Sequence, residues 1–206
     1  MSDAARGWRV VVPVKGAPLG KSRLAVASRD RLARAFALDS IDAVLEAIGP
    51  AGLVVVTGDE QVGPYAEAAG ALVLPDPGTG LNDAIRAGLA ADSPPPMRAA
   101  LLGDLPALTA ADLLSALEVC GGLPRAVVPD HQGFGTVLLT AVGADLAPSF
   151  GDGSAARHEA AGHTRLDLDL PRLRTDVDVR DDLATVLALG CGRHTAAVLA
   201  DATALL

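Results

Sequence analysis

The chain has 206 residues, half of them apolar and only 2% aromatic, so a single domain would build its core mainly from Ala, Val and Leu. Its formal net charge of −8 argues against a nucleic-acid-binding protein, which usually carries a basic patch. No apolar run reaches the roughly 20 residues of a membrane helix, and no signal peptide is evident, so we expect a cytoplasmic protein with no membrane partner.

The apolar pattern predicts strands that alternate with helices along the chain. Strand-length runs lie at 8–14, 53–57, 71–74, 98–102, 126–128 and 136–140. Helical periodicity lies at 29–48, 60–69, 82–91, 109–120 (with Thr109 as N-cap), 155–161, 181–189 and 194–205. Because the strand runs are apolar throughout, both their faces should be covered. The order predicts one α/β domain, residues 1–206, with a doubly wound, mostly parallel sheet in three layers.

The cysteines and most histidines form no recognisable site. Cys120 and Cys191 are far apart in the sequence and fit no CxxC or zinc spacing, so we expect packed thiols and no disulfide. His131, His163 and His194 have no evident partner in the sequence, which predicts that they lie at the surface.

A cluster of cations follows the first predicted strand. Lys15, Lys21 and Arg23 lie within nine residues of a chain that has only 17 Lys and Arg, and Gly16 and Gly20 let the backbone approach a ligand. Backbone N–H groups and fixed cations suit a triphosphate. Three residues separate the two glycines, so the loop is not a Walker A sequence, and it is not GxGxxG either. It predicts a triphosphate-binding loop, the alternative being a solvated basic loop.

Carboxylates follow two other segments. Asp104 comes after the fourth predicted strand, where it could hold Mg²⁺ against phosphate oxygens, the alternative being a helix N-cap. Asp176 and Asp178 would share one face of an extended segment and are further metal candidates. Asp181 and Asp182 suit the first turn of a helix instead.

Glycines and hydroxyl groups meet in a further segment. The residues 133–136 (GFGT) are followed by 150–154 (FGDGS), and Arg157 and His158 come one helical turn later. Backbone N–H groups and hydroxyls ahead of a helix can form a small anion site, to which we assign His158 as well. The alternative is a Ser N-cap followed by an exposed Arg–His pair.

In this order, PVKGAPLGKSRL, GLNDAI, GDLPAL, GFGTVLL and FGDGSAARH resemble the phosphoenolpyruvate and 2-phospho-L-lactate guanylyltransferases of coenzyme F-420 biosynthesis. The resemblance covers nearly the whole chain. The first and third motifs suit many nucleotidyltransferases of the GT-A type, whereas GTxLL combined with FGxGSxxxH is more specific. The resemblance implies a GT-A-like fold and a Mg²⁺-dependent transfer of GMP from GTP to a small phosphorylated three-carbon acid.

The resemblance also implies roles for single residues. Thr136, Gly151 and Ser154 would hold the acid, and Gly80 and Asn82 would lie near the guanosine.

On the metal and phosphate side, Asp104 would bind Mg²⁺ with Asp176 or Asp178 as its partner. Lys15, Gly16, Lys21 and Arg23 would hold the triphosphate, with Lys21, Arg23 and Asp104 acting in catalysis. The acid's phosphate is largely dianionic at neutral pH, so the reaction needs no general base.

The acceptor, the class of function and the oligomeric state stay open. The Ala-rich composition is typical of actinobacterial proteins, for which the resemblance implies phosphoenolpyruvate rather than 2-phospho-L-lactate. A nucleotidyltransferase with another acceptor, or a non-catalytic nucleotide-binding module, are the alternatives. The oligomeric state is open, a homo-oligomer included.

Overall fold

The computed structural model describes residues 7–15, 24–91, 96–177 and 180–203, and gives the backbone alone at 24–29, 180–182 and 202–203. The strands of this part are β1 (Trp8–Val14), β2 (Leu53–Thr57), β3 (Leu72–Pro75), β4 (Met97–Leu101), β5 (Arg125–Pro129), β6 (Thr136–Val142) and β7 (Thr164–Arg165). The helices are α1 (Leu24–Ile48), α2 (Val62–Ala68), α3 (Leu81–Leu89), α4 (Ala110–Gly121), α5 (Ser154–Ala160), α6 (Pro171–Arg174), α7 (Arg180–Leu189) and α8 (Arg193–Thr203).

The described strands form one sheet in the order β3-β2-β1-β4-β6-β5-β7. The pairings are parallel except that β6 runs antiparallel to both β4 and β5. A short loop joins β5 to β6 as a hairpin, which fixes the direction of β6. The predicted doubly wound, mostly parallel α/β fold is confirmed.

Helices cover both faces of the sheet, and successive side chains of each strand point to opposite faces. Val10 and Val12 of β1 pack towards α1, α2 and α4, whereas Val11 packs towards α3. A Cβ at Gly88 would collide with Val11, so this glycine lets α3 lie close against the strand that leads into the candidate site.

Several predicted element boundaries, and the predicted exposure of one histidine, differ from the structure. The helix predicted to begin at residue 29 starts at Leu24, and neither β7 nor α6 was predicted. Thr109 is the N-cap of α4, as predicted, and its side chain accepts the amide of Asp112. The surface prediction for His163 is wrong, since this residue is buried between α5 and β7.

The two cysteines are free thiols, one buried and one half-buried. Burial raises the pKa of the Cys120 thiol to about 11, which keeps it protonated and inert at neutral pH.

Within the described residues, no single helix has the length and apolar character to cross a membrane. The pair of α7 and α8, bent by 119° where they meet, reaches that length and composition together.

Candidate active site

Two adjoining cavities open at the carboxyl edge of the sheet. One, of about 530 Å³, lies over the ends of β1 to β4, and we call it the nucleotide-side cavity after the ligand that the sequence predicts there. The other, of about 440 Å³, lies over the end of β5 and the start of β6, and we call it the acceptor-side cavity for the same reason. Because β6 is antiparallel, its first residue, Thr136, faces the same edge as the end of β5. Leu81, Leu102 and Asp104 line both cavities.

The nucleotide-side cavity combines an apolar floor with polar groups at its rim. Val56 and Ala84 form part of the floor, and the exposed Lys15 lies at the rim, directly after β1. Asp76, which follows β3, adds a carboxylate that also accepts the amide of Gly78. Gly80 precedes α3 with φ of 115°, a conformation that favours glycine, and brings its backbone to the cavity wall.

Asp104 is held in place through its neighbours in the chain. The backbone amide of Leu105 donates to the hydroxyl of buried Ser40 in α1 at 3.1 Å. A Cβ at Gly103 would lie 3.1 Å from the carbonyl oxygen of Pro13, so only glycine fits easily where this segment crosses the end of β1. The half-buried carboxylate of Asp104 is thereby placed at the boundary of the two cavities.

Asp176, from the acidic segment near the end of the chain, also lies close to Asp104. The amide of Val177 donates to the backbone carbonyl of Asp104 at 3.2 Å, and Asp176 lines the acceptor-side cavity together with Asp104. These carboxylate oxygens are the hard donors that Mg²⁺ prefers. The described residues contain no group of three or more His, Cys, Asp or Glu arranged around a metal position. Asp178, the other metal candidate, lies outside the described residues.

The hydroxyl and glycine residues of the GFGT and FGDGS segments meet at the acceptor-side cavity. Thr136, Gly151 and Ser154 all line it, and the Thr136 and Ser154 hydroxyl oxygens lie 3.0 Å apart. Gly151 and Gly153 have φ of 123° and 65°, so the turn before α5 depends on glycine.

Arg157 and His158 of α5 lie in different surroundings, one exposed and one buried. Arg157 is exposed, and its guanidinium donates to the carbonyl oxygens of Ser149 and Asp152, which braces the glycine turn. His158 is fully buried and lines neither cavity. The alternative of an exposed Arg–His pair after a Ser N-cap is therefore wrong, and Gly153 rather than Ser154 is the N-cap residue.

His158 is uncharged at neutral pH. Its pKa is lowered to about 4, chiefly because burial disfavours the imidazolium, with smaller contributions from nearby His163 and Arg157. Its Nδ1 lies 3.0 Å from the Thr136 hydroxyl, and its Nε2 accepts the backbone amide of Ser149 at 2.9 Å.

Asn82, which the resemblance places near the guanosine, joins the two sides of the site. Its amide nitrogen donates to the carbonyl of Phe150 at 3.1 Å, and its amide oxygen accepts the Phe150 amide at 2.7 Å. This clamp fixes the start of α3 to the segment that leads into the glycine turn.

Three residues of the predicted phosphate loop, Gly16, Lys21 and Arg23, lie outside the described residues. Three further residues line a cavity but were not predicted as site residues: Asp76, Asp130 and Phe134. The strand-end rule applied to β3 and β5 would have indicated both carboxylates. Phe134 is 68% exposed, and although it lies within the GFGTVLL motif it was assigned no role.

Comparison with known proteins identifies the family. Residues 20–167 match the family model of the MobA-like NTP transferase domain. The chain belongs to this family. The predicted nucleotidyltransferase class is thereby confirmed. The predicted GT-A-like fold is confirmed by solved structures.

Among curated relatives of this NTP transferase, the phosphoenolpyruvate guanylyltransferase of Geodermatophilus obscurus is 44% identical, covering 97% of each chain. That of Streptomyces coelicolor is 46% identical, covering 94% of this chain and 96% of its own. The family resemblance seen in the motifs is confirmed.

Solved structures share the fold at low sequence identity. One, from Desulfovibrio desulfuricans, is assigned to the nucleotide-diphospho-sugar transferases; it has a TM-score of 0.66 at 16% identity, covering 97% of this chain and 96% of its own. A cytidylyltransferase from Leptospira borgpetersenii has a TM-score of 0.53 at 13% identity, covering 87% of this chain and 84% of its own.

Proposed function

We propose that this protein transfers GMP from GTP to the phosphate of phosphoenolpyruvate, forming enolpyruvyl-diphosphoguanosine and releasing pyrophosphate. The observation that carries the proposal is the pair of adjoining cavities with Asp104 at their boundary. A two-substrate transfer needs two such sites in contact, whereas a nucleotide-binding module needs one. Relatives that are 44% and 46% identical over nearly the whole chain carry the name of this reaction.

The larger cavity is assigned to GTP. It lies at the carboxyl ends of parallel strands, where nucleotides bind in doubly wound folds. Lys15 stands at its rim, and we assign Gly16, Lys21 and Arg23, which follow it in the sequence, to the triphosphate as well. Lys21 and Arg23 would stabilise the pyrophosphate as it leaves.

The smaller cavity is assigned to the phosphorylated acid. Thr136 and Ser154 supply hydroxyl groups, and Gly151 brings its backbone to the cavity wall without a side chain. These groups suit a compact anion with a carboxylate and a phosphate.

The proposed reaction joins the two sites in line. An oxygen of the acid's phosphate attacks the α-phosphorus of GTP, and the bond from that phosphorus to the bridging oxygen of the β-phosphate breaks. The attacking oxygen is already ionised, so positioning and charge neutralisation supply the catalysis.

Asp104 and Asp176 fit the role of Mg²⁺ ligands, with Asp178 as a third candidate. When bound there, Mg²⁺ supplies positive charge that offsets the repulsion between the two anionic substrates. The chain's own residues then fix where the acid's phosphate can approach.

We further infer that the product serves coenzyme F-420 biosynthesis in the cytoplasm. The support is the match of five consecutive motifs to that group of guanylyltransferases.

The substrates are tested by pyrophosphate release from the purified protein with Mg²⁺. GTP, ATP, CTP and UTP are each paired with phosphoenolpyruvate and with 2-phospho-L-lactate. We expect release with GTP and phosphoenolpyruvate, and much slower release with the other pairs. Release with 2-phospho-L-lactate in preference would change the acceptor, and no release with either acid would refute the proposed function.

A further inference from the structure

His158 lies behind the acceptor-side cavity and is fully buried. Its ring packs edge-on against Phe150 at a centroid distance of 5.2 Å and against His163 at 5.7 Å. Because it lines neither cavity, its effect on a ligand must pass through the residues that do.

The hydrogen bonds of His158 assign its tautomer. The backbone amide of Ser149 points at Nε2 from 2.9 Å, and an amide N–H can only donate. Nε2 is therefore the unprotonated nitrogen. A neutral imidazole then carries its single proton on Nδ1, which lies 3.0 Å from the Thr136 hydroxyl oxygen and donates to it.

This donation restricts what the hydroxyl pair can do. Thr136 and Ser154 lie 3.0 Å apart, so one hydroxyl donates to the other. Neither can donate to His158, because Nδ1 is itself a donor. Among the described residues no further acceptor contacts either hydroxyl, so one hydroxyl hydrogen remains for a ligand in the cavity.

We propose that His158 is a positioning residue, which sets the Thr136–Ser154 hydroxyl pair to donate a hydrogen bond to the anionic acceptor. With the opposite tautomer, Nδ1 would accept the Thr136 hydrogen and draw it away from the cavity. That the anion is a phosphorylated acid substrate rests on the proposed function, whereas the direction of the hydrogen bonds does not.

The negative charge around the cavity makes it important that the hydroxyl pair donates a hydrogen bond to the ligand. Asp104, Asp130, Asp152 and Asp176 all line the acceptor-side cavity. A dianionic phosphate and a carboxylate meet repulsion there unless hydrogen-bond donors face them. A hydroxyl pair that could turn its lone pairs towards the ligand would add to this repulsion, and His158 prevents that orientation.

Two variants separate this role from a purely structural one. His158→Asn keeps a donor near the Nδ1 position and loses the acceptor for the Ser149 amide. His158→Gln can keep an acceptor near Nε2 and loses the donor to Thr136. If His158 only anchors the Ser149 loop, glutamine should restore the affinity for the acid. If His158 orients the hydroxyls, asparagine should restore it.

Steady-state kinetics with GTP and phosphoenolpyruvate read out the two variants. We expect H158Q to raise KM for the acid roughly 10- to 100-fold, the effect of losing one hydrogen bond to a charged group, with kcat and KM for GTP nearly unchanged. H158N should raise this KM clearly less than H158Q does, and the control H131Q should stay near the wild type, since His131 is exposed and lines neither cavity.

A double variant tests whether His158 acts through Thr136. Once T136V has removed the hydroxyl, adding H158Q should cost nothing more. Additive losses, or rescue by glutamine instead of asparagine, would overturn the proposal.

The tautomer is measured without reference to activity. Proton–nitrogen correlation spectra of ¹⁵N-histidine-labelled protein, assigned with H158N, should show the Nδ1–H form of His158, and an Nε2–H form would overturn the proposal. If the wild type showed no turnover with either phosphorylated acid, the proposed function would fall, and this spectrum would decide the role of His158 by itself.

Discussion

At the scale of single residues, Asp104 is the carboxylate that borders both cavities among the described residues. Its position depends on Ser40, which holds the next backbone amide, and on Gly103, which crosses close to β1. A side chain at this boundary can act on both substrates at once, which makes it the most informative single substitution in the site.

Asp104→Asn keeps the size of the side chain and removes its charge. We expect turnover to fall at least about 100-fold, because transition-state charge would lose its stabilisation, a loss of roughly 3 kcal/mol. The thermal unfolding midpoint should stay within a few degrees of the wild type. Asp145→Asn is the matched control, since this side chain is 96% exposed and lines neither cavity. Turnover of D104N near that of D145N would remove Asp104 from the mechanism.

His158 also couples stability to pH. Its folded pKa of about 4 lies below the ordinary value of 6.5, so the unfolded chain binds the proton more readily. Stability is therefore fully present above pH 6.5 and is lost as the pH falls towards 4. His163, whose pKa is also lowered by burial, adds a loss in the same direction, and Arg157 is the other charged group near the ring.

Urea unfolding at several pH values tests this coupling. Between pH 8 and 5 the loss from His158 should be on the order of 2 kcal/mol. H158Q removes the titrating group and should show a shallower decline than the wild type. Equal slopes would mean that the pKa of His158 in the folded protein lies near its ordinary value.

At the scale of elements, α8 is fixed to α1 by a buried carboxylate. Asp39 of α1 is 4% exposed and accepts the amides of His194 and Thr195, the first turn of α8, at 2.9 and 3.0 Å. A Cβ at Gly192 would collide with Asp39, so glycine is required where the chain enters this helix. The C-terminal helix therefore depends on a cap supplied by another element.

Asp39→Ala should destabilise the protein by roughly 2 kcal/mol, the upper range for losing an N-cap, since it leaves two amides without their acceptor. Asp201→Ala provides the control: that residue lies on α8, and its exposed ion pair with Arg31 should contribute less than about 0.5 kcal/mol. Urea unfolding measures both. Equal effects would show that the cap does not hold α8.

At the scale of the whole molecule, the sequence predicted the alternation of elements well because each central strand is apolar on both faces. Val10, Val11 and Val12 are all fully buried, which is the condition that the pattern detects. The direction of β6 was not predictable in this way, since apolar pattern carries no strand direction. β7 has two residues, too few for any periodicity.

The candidate site was predictable where chemistry coincides with a strand end, as at Lys15 and Asp104. Thr136 and Ser154 were placed in an anion site because hydroxyls and glycines precede a helix there, and the motif resemblance added the acid as their ligand. The structure brings them together. The burial of His158 and His163 was not predictable, because it depends on how α5 packs against the sheet and not on local sequence. Asn82 was assigned to the nucleotide, whereas its amide is engaged by the Phe150 backbone.

The most direct test of the proposed reaction is the ³¹P NMR spectrum of the products formed from GTP and phosphoenolpyruvate with Mg²⁺. Transfer of GMP to the acid's phosphate predicts a new pair of coupled diphosphate resonances, together with an equal amount of pyrophosphate. Resonances of GDP and inorganic phosphate, or unchanged GTP, would contradict it.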